Sequence, residues 1–464
     1  MDMKRLFTLA VALMAVGTLN AQQDRGGITE EMMTEIRTGH TNSEAERAAR
    51  NGLALNPISE LATSADNLAM IDTHFSHRVT TRGITDQQQS GRCWLFTGLN
   101  VMRAQMIEEY DLPSMEFSQN YLFFYDQLEK CNLFLQAVID TKHLPMEDRQ
   151  VEWLFKNPLS DGGQFTGVAN LVMKYGVVPA EVMPENYQSN NTATMSMLLK
   201  LKLREFGLEL REQRDRRSPV ARKTEMLTEI YSMLVRCLGV PPTEFEWTRR
   251  NAEGEVVDTQ TYTPQSFFET YFGDMDLEED YVMIMNDPTR EYYKVYEIEY
   301  DRHVYDGQNW IYLNLPIEEV KRAAIASIMD NTAMYFSCDV GKFLLNKKGT
   351  LDIANFDYEA LMGVDFPMNK EQRVRTFASG SSHAMTLIAV DLDAEGNPTK
   401  WMVENSWGPT AGWQGNLIMT DEWFEEYMFR VVVERQYLPA ETLELLEQEP
   451  IMLPSWDPMF AYEE

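Results

Sequence analysis

Near Asp280 the apolar periodicity of the chain changes kind, and that change restricts the fold more than any other feature. Upstream, long segments carry apolar residues at helical spacing: CWLFTGLNVMRAQMIEEY from Cys93, FSQNYLFFYDQLEKCNLFLQAVI from Phe117 and GGQFTGVANLVMKYG from Gly162. The first fits a helix with one buried face. The third has glycines as punctuation at both ends. A charged helical run follows from residue 194 to about 250, and its basic cluster, Arg211 to Arg222, reads as a solvated helix face. Downstream of Asp280 come short runs rich in β-branched and aromatic residues: YVMIM, YYKVYEIEY, AMYFSC, AMTLIAVDL, KWMVENSW and FRVVVERQY. One amphipathic helical segment, PIEEVKRAAIASIMD, interrupts them. A helical half followed by a strand-rich half predicts an α+β protein. There is no internal repeat and no low-complexity segment.

A chain of 464 residues is long enough for one large domain or two to three ordinary ones. Its net charge is −31, which would repel phosphate backbones, so nucleic acid is excluded as a partner. The N-terminus has Lys4 and Arg5, then an uncharged apolar stretch from Leu6 to Leu19, then small residues and glutamines. That is the layout of a secretory signal peptide cut after Ala21. The stretch is short for a membrane span, which needs about 20 residues. The expectation is a secreted or periplasmic protein without a stable membrane anchor once the leader is removed. Cys93, Cys131, Cys237 and Cys338 are scattered, with no C-x-x-C pair and no histidine at metal-ligand spacing. No metal, cofactor or structural disulfide is expected. Cys131, Cys237 and Cys338 read as buried small apolar side chains.

Cys93 differs from them in its surroundings, QQQSGRCWLF. A lone cysteine before a tryptophan is ordinarily core. A catalytic one needs an accessible thiolate, a basic partner and donors for the oxyanion formed when a carbonyl is attacked. Cys93 falls at the first turn of a helix, where the dipole favours an anion. Of the six histidines, only His383 stands in a strand-like apolar run, SGSSHAMTLIAVD, and only it has an orienting candidate close behind, Asn405 in MVENSWG. Gln87 lies six residues before Cys93 in the loop that would face a substrate.

These three segments resemble the active-site segments of papain-like cysteine peptidases, in the same Cys, His, Asn order and with the glutamine at the same offset. SGRCW is most similar to the bleomycin hydrolase/aminopeptidase C branch, as are FSQNYLFFYDQLEKC, NPLSDGGQ, KYGVVP, PENY, YLNLP, CDVGK and LPSWDPM. The resemblance spans roughly residues 60 to 464. It implies a papain-like fold, a helical half plus a β-barrel-like half, with a large helical insertion and a C-terminal arm. The 290 residues between Cys93 and His383, about twice the usual papain-type separation, are consistent with the insertion. The implied divisions are a signal peptide at 1–21, a polar arm at 22–60, the helical half at 61–200, a mainly helical insertion at 201–280, the β-rich half at 281–440 and the arm at 441–464.

The resemblance also assigns roles. Cys93 is the nucleophile, His383 its imidazolium partner and Asn405 the holder of the imidazole. Gln87 and the Cys93 backbone N–H form the oxyanion hole. Gly162 and Gly163 lie beside bound peptide, and Trp407 shields the His–Asn contact. The implied activity is cysteine-type aminopeptidase action on peptides, within a homo-hexamer. Endopeptidase or dipeptidyl peptidase action is the alternative, and an inert papain-fold assembly protein a further one. In the branch the terminal carboxylate meets the substrate α-ammonium, a part that falls here to Glu464. The tail departs from the branch pattern, WDPMGALA, by reading WDPMFAYEE, one residue longer and with Glu463 and Glu464 at its end. Asp86 stands where the branch commonly has Asn, and Thr97 and Gly98 also differ. Members are mostly cytosolic, so an exported one implies peptides outside the cytoplasm as substrates.

Overall fold

The computed structural model describes residues 26–68, 72–212, 218–457 and 459. The leader expected at 1–21 and the terminal residue Glu464 lie outside these. Among the described residues, no helix is long and apolar enough to cross a membrane.

The chain forms two compact units. Of the described residues, the smaller comprises 26–63 and 356–365. Its helices Glu30–Gly39 and Glu44–Leu53 bury no residue, in keeping with the polar composition of the arm. Ser43 and Glu46 start the second helix with a reciprocal capping box, which satisfies two otherwise unpaired N–H groups. Residues 356–365, which the sequence puts inside the β-rich half, join this unit instead. An antiparallel bridge couples Thr63 with Phe356, and the Asp357 N–H donates to the Ala62 carbonyl at 2.7 Å.

The larger unit, residues 64–355 and 366–464, holds the cleft. Its central helix, Cys93–Glu109, was expected to bury one face. It is buried on nearly all sides. It packs on the strands His383–Leu392 and Met334–Cys338 and also against the helices Gln119–Asp140 and Phe165–Tyr175. Gly98 permits the closest of these approaches, since a Cβ there would sit 2.6 Å from Val168 Cγ2. The charged run becomes the helices Ala193–Glu212 and Pro219–Leu238, which pack on Gln119–Asp140.

The insertion is not helical throughout. Phe245–Arg250 and Val256–Tyr262 form an antiparallel hairpin. The turn uses Gly254 at φ +82°, whose N–H donates to the Asn251 carbonyl. The aromatic and β-branched residues of this stretch carry that signal, hidden by its charges.

Each strand-like run of the C-terminal half becomes a strand of one mixed sheet. Its order from one edge is 451–453, 294–298, 311–314, 281–285, 428–434, 334–338, 383–392, 398–404, 416–420, 350–351 and 344–345. Most pairings in the centre are antiparallel. Papain-like α+β architecture is therefore the fold of this unit, with the central helix lying where the two halves meet.

Candidate active site

The cleft between the halves has a volume of about 640 Å³ and is lined by Gln87, Cys93, Gly162, Gly163 and His383, among others. Cys93 opens the central helix and is half-buried. The residue before it, Arg92, is fully buried. Its guanidinium makes a two-point bond to Glu185 at 2.9 and 2.8 Å and lies 5.1 Å from the ring centres of both Phe96 and Phe123. A buried cation is tolerated only when paired and hydrogen-bonded in this way. Its Nε also donates to Ser90 Oγ at 3.0 Å. On the other side Asp161 takes the Gly91 N–H through its carboxylate and the Trp94 indole N–H through its carbonyl, both at 2.9 Å. The loop that leads into Cys93 is thus clamped from both sides.

His383 begins a strand in which Thr386 stands opposite Glu404. Continuing that register places Asn405 opposite Met385, so His383 is its diagonal neighbour on the same face. Accordingly, His383 Nε2 donates to Asn405 Oδ1 at 2.8 Å. The same oxygen takes the Ser406 N–H at 2.8 Å, and both side chains are buried. Trp407 stacks on the imidazole with ring centres 4.9 Å apart. It covers the His–Asn contact and does not line the cleft.

Gln87 is fixed by a residue the sequence did not single out. Ser406 Oγ donates to Gln87 Oε1 at 2.7 Å, which sets the amide's orientation. The Gln87 Nε2 then donates to the Ser90 carbonyl at 2.7 Å and keeps its second N–H for the cleft. Backbone bonds from Gln87 N–H to Ser406 O and from Gly408 N–H to Thr85 O zip the two loops together. Asp86, the departure from the branch pattern, accepts the N–H of Gln88, a residue at φ +54°. An asparagine oxygen could do the same.

Burial pushes the Cys93 thiol up to about 11, against the pull of the Ala384 and Trp94 N–H groups. It pushes His383 down to about 4, against the Asn405 bond. The helix dipole alone, the basis for expecting a thiolate, is therefore outweighed by desolvation. A single charge on either group is disfavoured. Moving the proton from sulfur to imidazole creates both charges together, and each then offsets the other. With the thiol pushed up and the imidazole pushed down, the uncharged forms of both groups span neutral pH.

On the opposite wall the Gly162 carbonyl is bound by the buried Lys130 ammonium at 2.7 Å. Gly163 is required by packing, because a Cβ would meet His303 Cε1 at 2.3 Å. Among the described residues its own N–H and C=O have no partner, which leaves a backbone edge in the cleft. The C-terminal arm also arrives here. Ser455 and Met459 line the cleft, and Arg430 donates to the Met459 carbonyl at 3.1 Å. Arg290 pairs with Asp457, and Arg149 lies 4.5 Å from the Trp456 ring centre. Arg92, Asp161, Ser406 and Arg430 are site residues that the motifs did not reveal. The arginine within SGRCW and the serine within ENSWG are their only local traces. Cys131 and Cys338 are buried and Cys237 is half-buried, and all four cysteines are free.

A thiol at a helix start, an imidazole held by an asparagine and a glutamine lining the same cleft, on this α+β frame, define a papain-like cysteine peptidase. Comparison with known proteins agrees. The model of the Peptidase C1-like family matches residues 27–460. Human bleomycin hydrolase is 41% identical over 403 residues, covering 84% of this chain and 89% of its own. Aminopeptidase C of Lactobacillus delbrueckii subsp. lactis is 36% identical over 443 residues, covering 94% and 98%. The crystal structure of PepW from Lactobacillus rhamnosis HN001 superposes with a TM-score of 0.90 at 35% identity, covering 94% of this chain and 99% of that one. The chain belongs to the Peptidase C1-like family.

Proposed function

We propose that this enzyme removes N-terminal residues from peptides, with Cys93 as nucleophile. Cys93 Sγ attacks the scissile carbonyl as its proton passes to His383. The oxyanion is met by the free Gln87 N–H and the Cys93 backbone N–H. His383 then protonates the departing amine, leaving an acyl-enzyme. Water, deprotonated by His383, attacks the thioester carbon, and the acid leaves as His383 returns the proton to the Cys93 sulfur. Asn405 keeps the ring aligned, Trp407 excludes water from the His–Asn bond, and Gly162 and Gly163 lie beside the bound peptide.

The observation that carries the exopeptidase reading is the Arg430–Met459 bond, which holds the arm in the cleft that contains Cys93. A cleft stopped at one side accepts a chain end rather than a chain middle. Aminopeptidase C, the relative named above, bears that activity in its name. The last five residues in the sequence are FAYEE, and their acids and terminal carboxylate favour a cationic N-terminus. The N-terminal leader supports export, and the relatives' branch supports a homo-hexamer. The test compares fluorogenic amides with free and acetylated N-termini. A strong preference for the free form is expected, together with labelling of Cys93 by an epoxide thiol reagent and loss of activity in Cys93→Ala. Equal turnover of both substrates would make this an endopeptidase.

A further inference from the structure

We propose that a buried ion pair outside the catalytic steps, Lys130 with Asp126, is a positioning device: it fixes the Gly162–Gly163 edge against which a peptide in the cleft is held opposite Cys93. The inference rests on Cys93 as nucleophile and not on whether the cut falls at a chain end.

Lys130 and Asp126 lie one turn apart on the helix Gln119–Asp140, and Asp126 is fully buried. Lys130 Nζ uses its three protons on Asp126 Oδ2 and on the Ser160 and Gly162 carbonyls, at 3.0, 3.0 and 2.7 Å. Two of the three therefore go to the backbone of the cleft wall. Gln127 Nε2 adds a second donor to the same Asp126 oxygen at 3.0 Å and to the Ser160 carbonyl at 3.1 Å. The Asp161 carbonyl is taken by the Trp94 indole at 2.9 Å, and the Gly162 N–H by Ser160 Oγ at 3.0 Å. The carbonyls of Ser160, Asp161 and Gly162 are thus all turned toward fixed donors, and Gly163 is the first residue of the loop left with a free backbone edge.

The other Asp126 oxygen, Oδ1, holds His303 Nδ1 at 2.6 Å. The His303 ring fills the space under Gly163 and Gly167, where an added Cβ would come within 2.3 and 2.4 Å of its Cε1. It meets Trp94 edge-on with ring centres 4.6 Å apart, and Lys130 Nζ lies 5.2 Å from the centre of a Trp94 ring. Trp94 follows Cys93 directly. One cluster therefore touches both the neighbour of the nucleophile and the edge that faces it, so side-chain contacts set the spacing between the two.

The charges suit a fixed frame. Burial raises the Asp126 carboxyl, but Lys130 and His303 outweigh it and bring it below its ordinary value. Burial and the nearby Lys130 hold His303 below its ordinary value. A buried ion pair adds little stability over apolar side chains of the same volume. What the pair supplies is direction, because an apolar side chain in place of Lys130 would leave the Gly162 carbonyl without a donor and free to turn.

The test uses the full chain and two double variants. Lys130→Met with Asp126→Asn removes both charges at similar volume. Lys130→Gln with Asp126→Asn restores an amide donor. The readouts are kcat and KM for an alanyl coumarylamide and the rate at which iodoacetamide, which is too small to need the edge, alkylates Cys93. The methionine variant is expected to raise KM about tenfold or more, to keep kcat within about threefold and to leave alkylation unchanged. The glutamine variant is expected to recover part of the KM. The same rise is expected for an N-acetylated substrate. An unchanged KM would overturn the proposal, as would alkylation slowed in step with kcat/KM, the mark of a site loosened as a whole. Equal KM values in the two variants would overturn it too, since the donor would then be irrelevant. Gln127→Leu keeps the pair and removes only the second donor to Ser160, and it serves where the double variants do not fold. A KM rise of about threefold with unchanged alkylation is expected there, and no rise would count against the device. Turnover surviving in Cys93→Ala would sink the nucleophile reading and the proposal with it.

Discussion

Ser406 decides which way the Gln87 amide points. Without its hydroxyl the Gln87 amide loses the bond that distinguishes oxygen from nitrogen, and the free N–H is no longer held toward Cys93. Ser406→Ala is expected to lower kcat by about tenfold with little change in KM, short of the hundredfold or more that deleting an oxyanion donor costs. Steady-state kinetics on one substrate checks it, and an unchanged kcat would show that Ser90 alone positions the amide. At this scale, Gln87, Cys93, His383 and Asn405 were legible because each sits in a distinctive run of covalent neighbours. Ser406 and Arg92 sit in the same runs but owe their roles to partners far along the chain. Their residue types were visible and their tasks were not. The charge state of the Cys93–His383 pair was not legible either, because it depends on how completely each group is withdrawn from water.

At the scale of elements, periodicity located the main helices and strands but misjudged the environment of the most important one. The central helix has a glycine and several polar positions along its length, which suggest an exposed face. Those positions are in fact covered. Thr97, Gly98, Asn100 and Arg103 are all inside, with Asn100 bonded to Thr85 and Arg103 paired with Glu404. At Gly98 the central helix meets the helix Phe165–Tyr175, and an added Cβ would sit 2.6 Å from Val168 Cγ2. Gly98→Ala is expected to destabilise by about 1–3 kcal/mol, since overpacking outweighs the gain in helix propensity. The apparent melting temperature should fall, and the fall should shrink in a Val168→Ala background, where the opposing methyls are gone. Equal falls in both backgrounds would mean that the contact is not the cause. The 245–262 hairpin was missed because Glu246, Arg249, Arg250, Glu253, Glu255 and Asp258 break up its aromatic and β-branched residues. Its tight turn at Asn251–Gly254 was the usable signal.

For the whole molecule, the arm governs what the cleft admits. It is held at successive points, by Arg149 on Trp456, Arg290 on Asp457 and Arg430 on Met459, whose side chain is buried. A chain ending at Pro454 is expected to turn over acetylated peptides at least about tenfold faster, because a cleft open at both sides accepts chain interiors, an effect of steric access rather than of transition-state binding. Turnover of an acetylated fluorogenic peptide measures it. No gain would mean that the arm is not the stopper. Sequence alone determined the chemistry available and the order of helices and strands. Both are written in side-chain identity and short-range spacing, which need no partner to be read. Tertiary structure decided the rest: that burial disfavours a charge on both the thiol and the imidazole, and that the C-terminal arm returns to the cleft as far as Met459. Each of these follows from burial and from contacts between residues far apart in the chain, and no local pattern encodes such contacts.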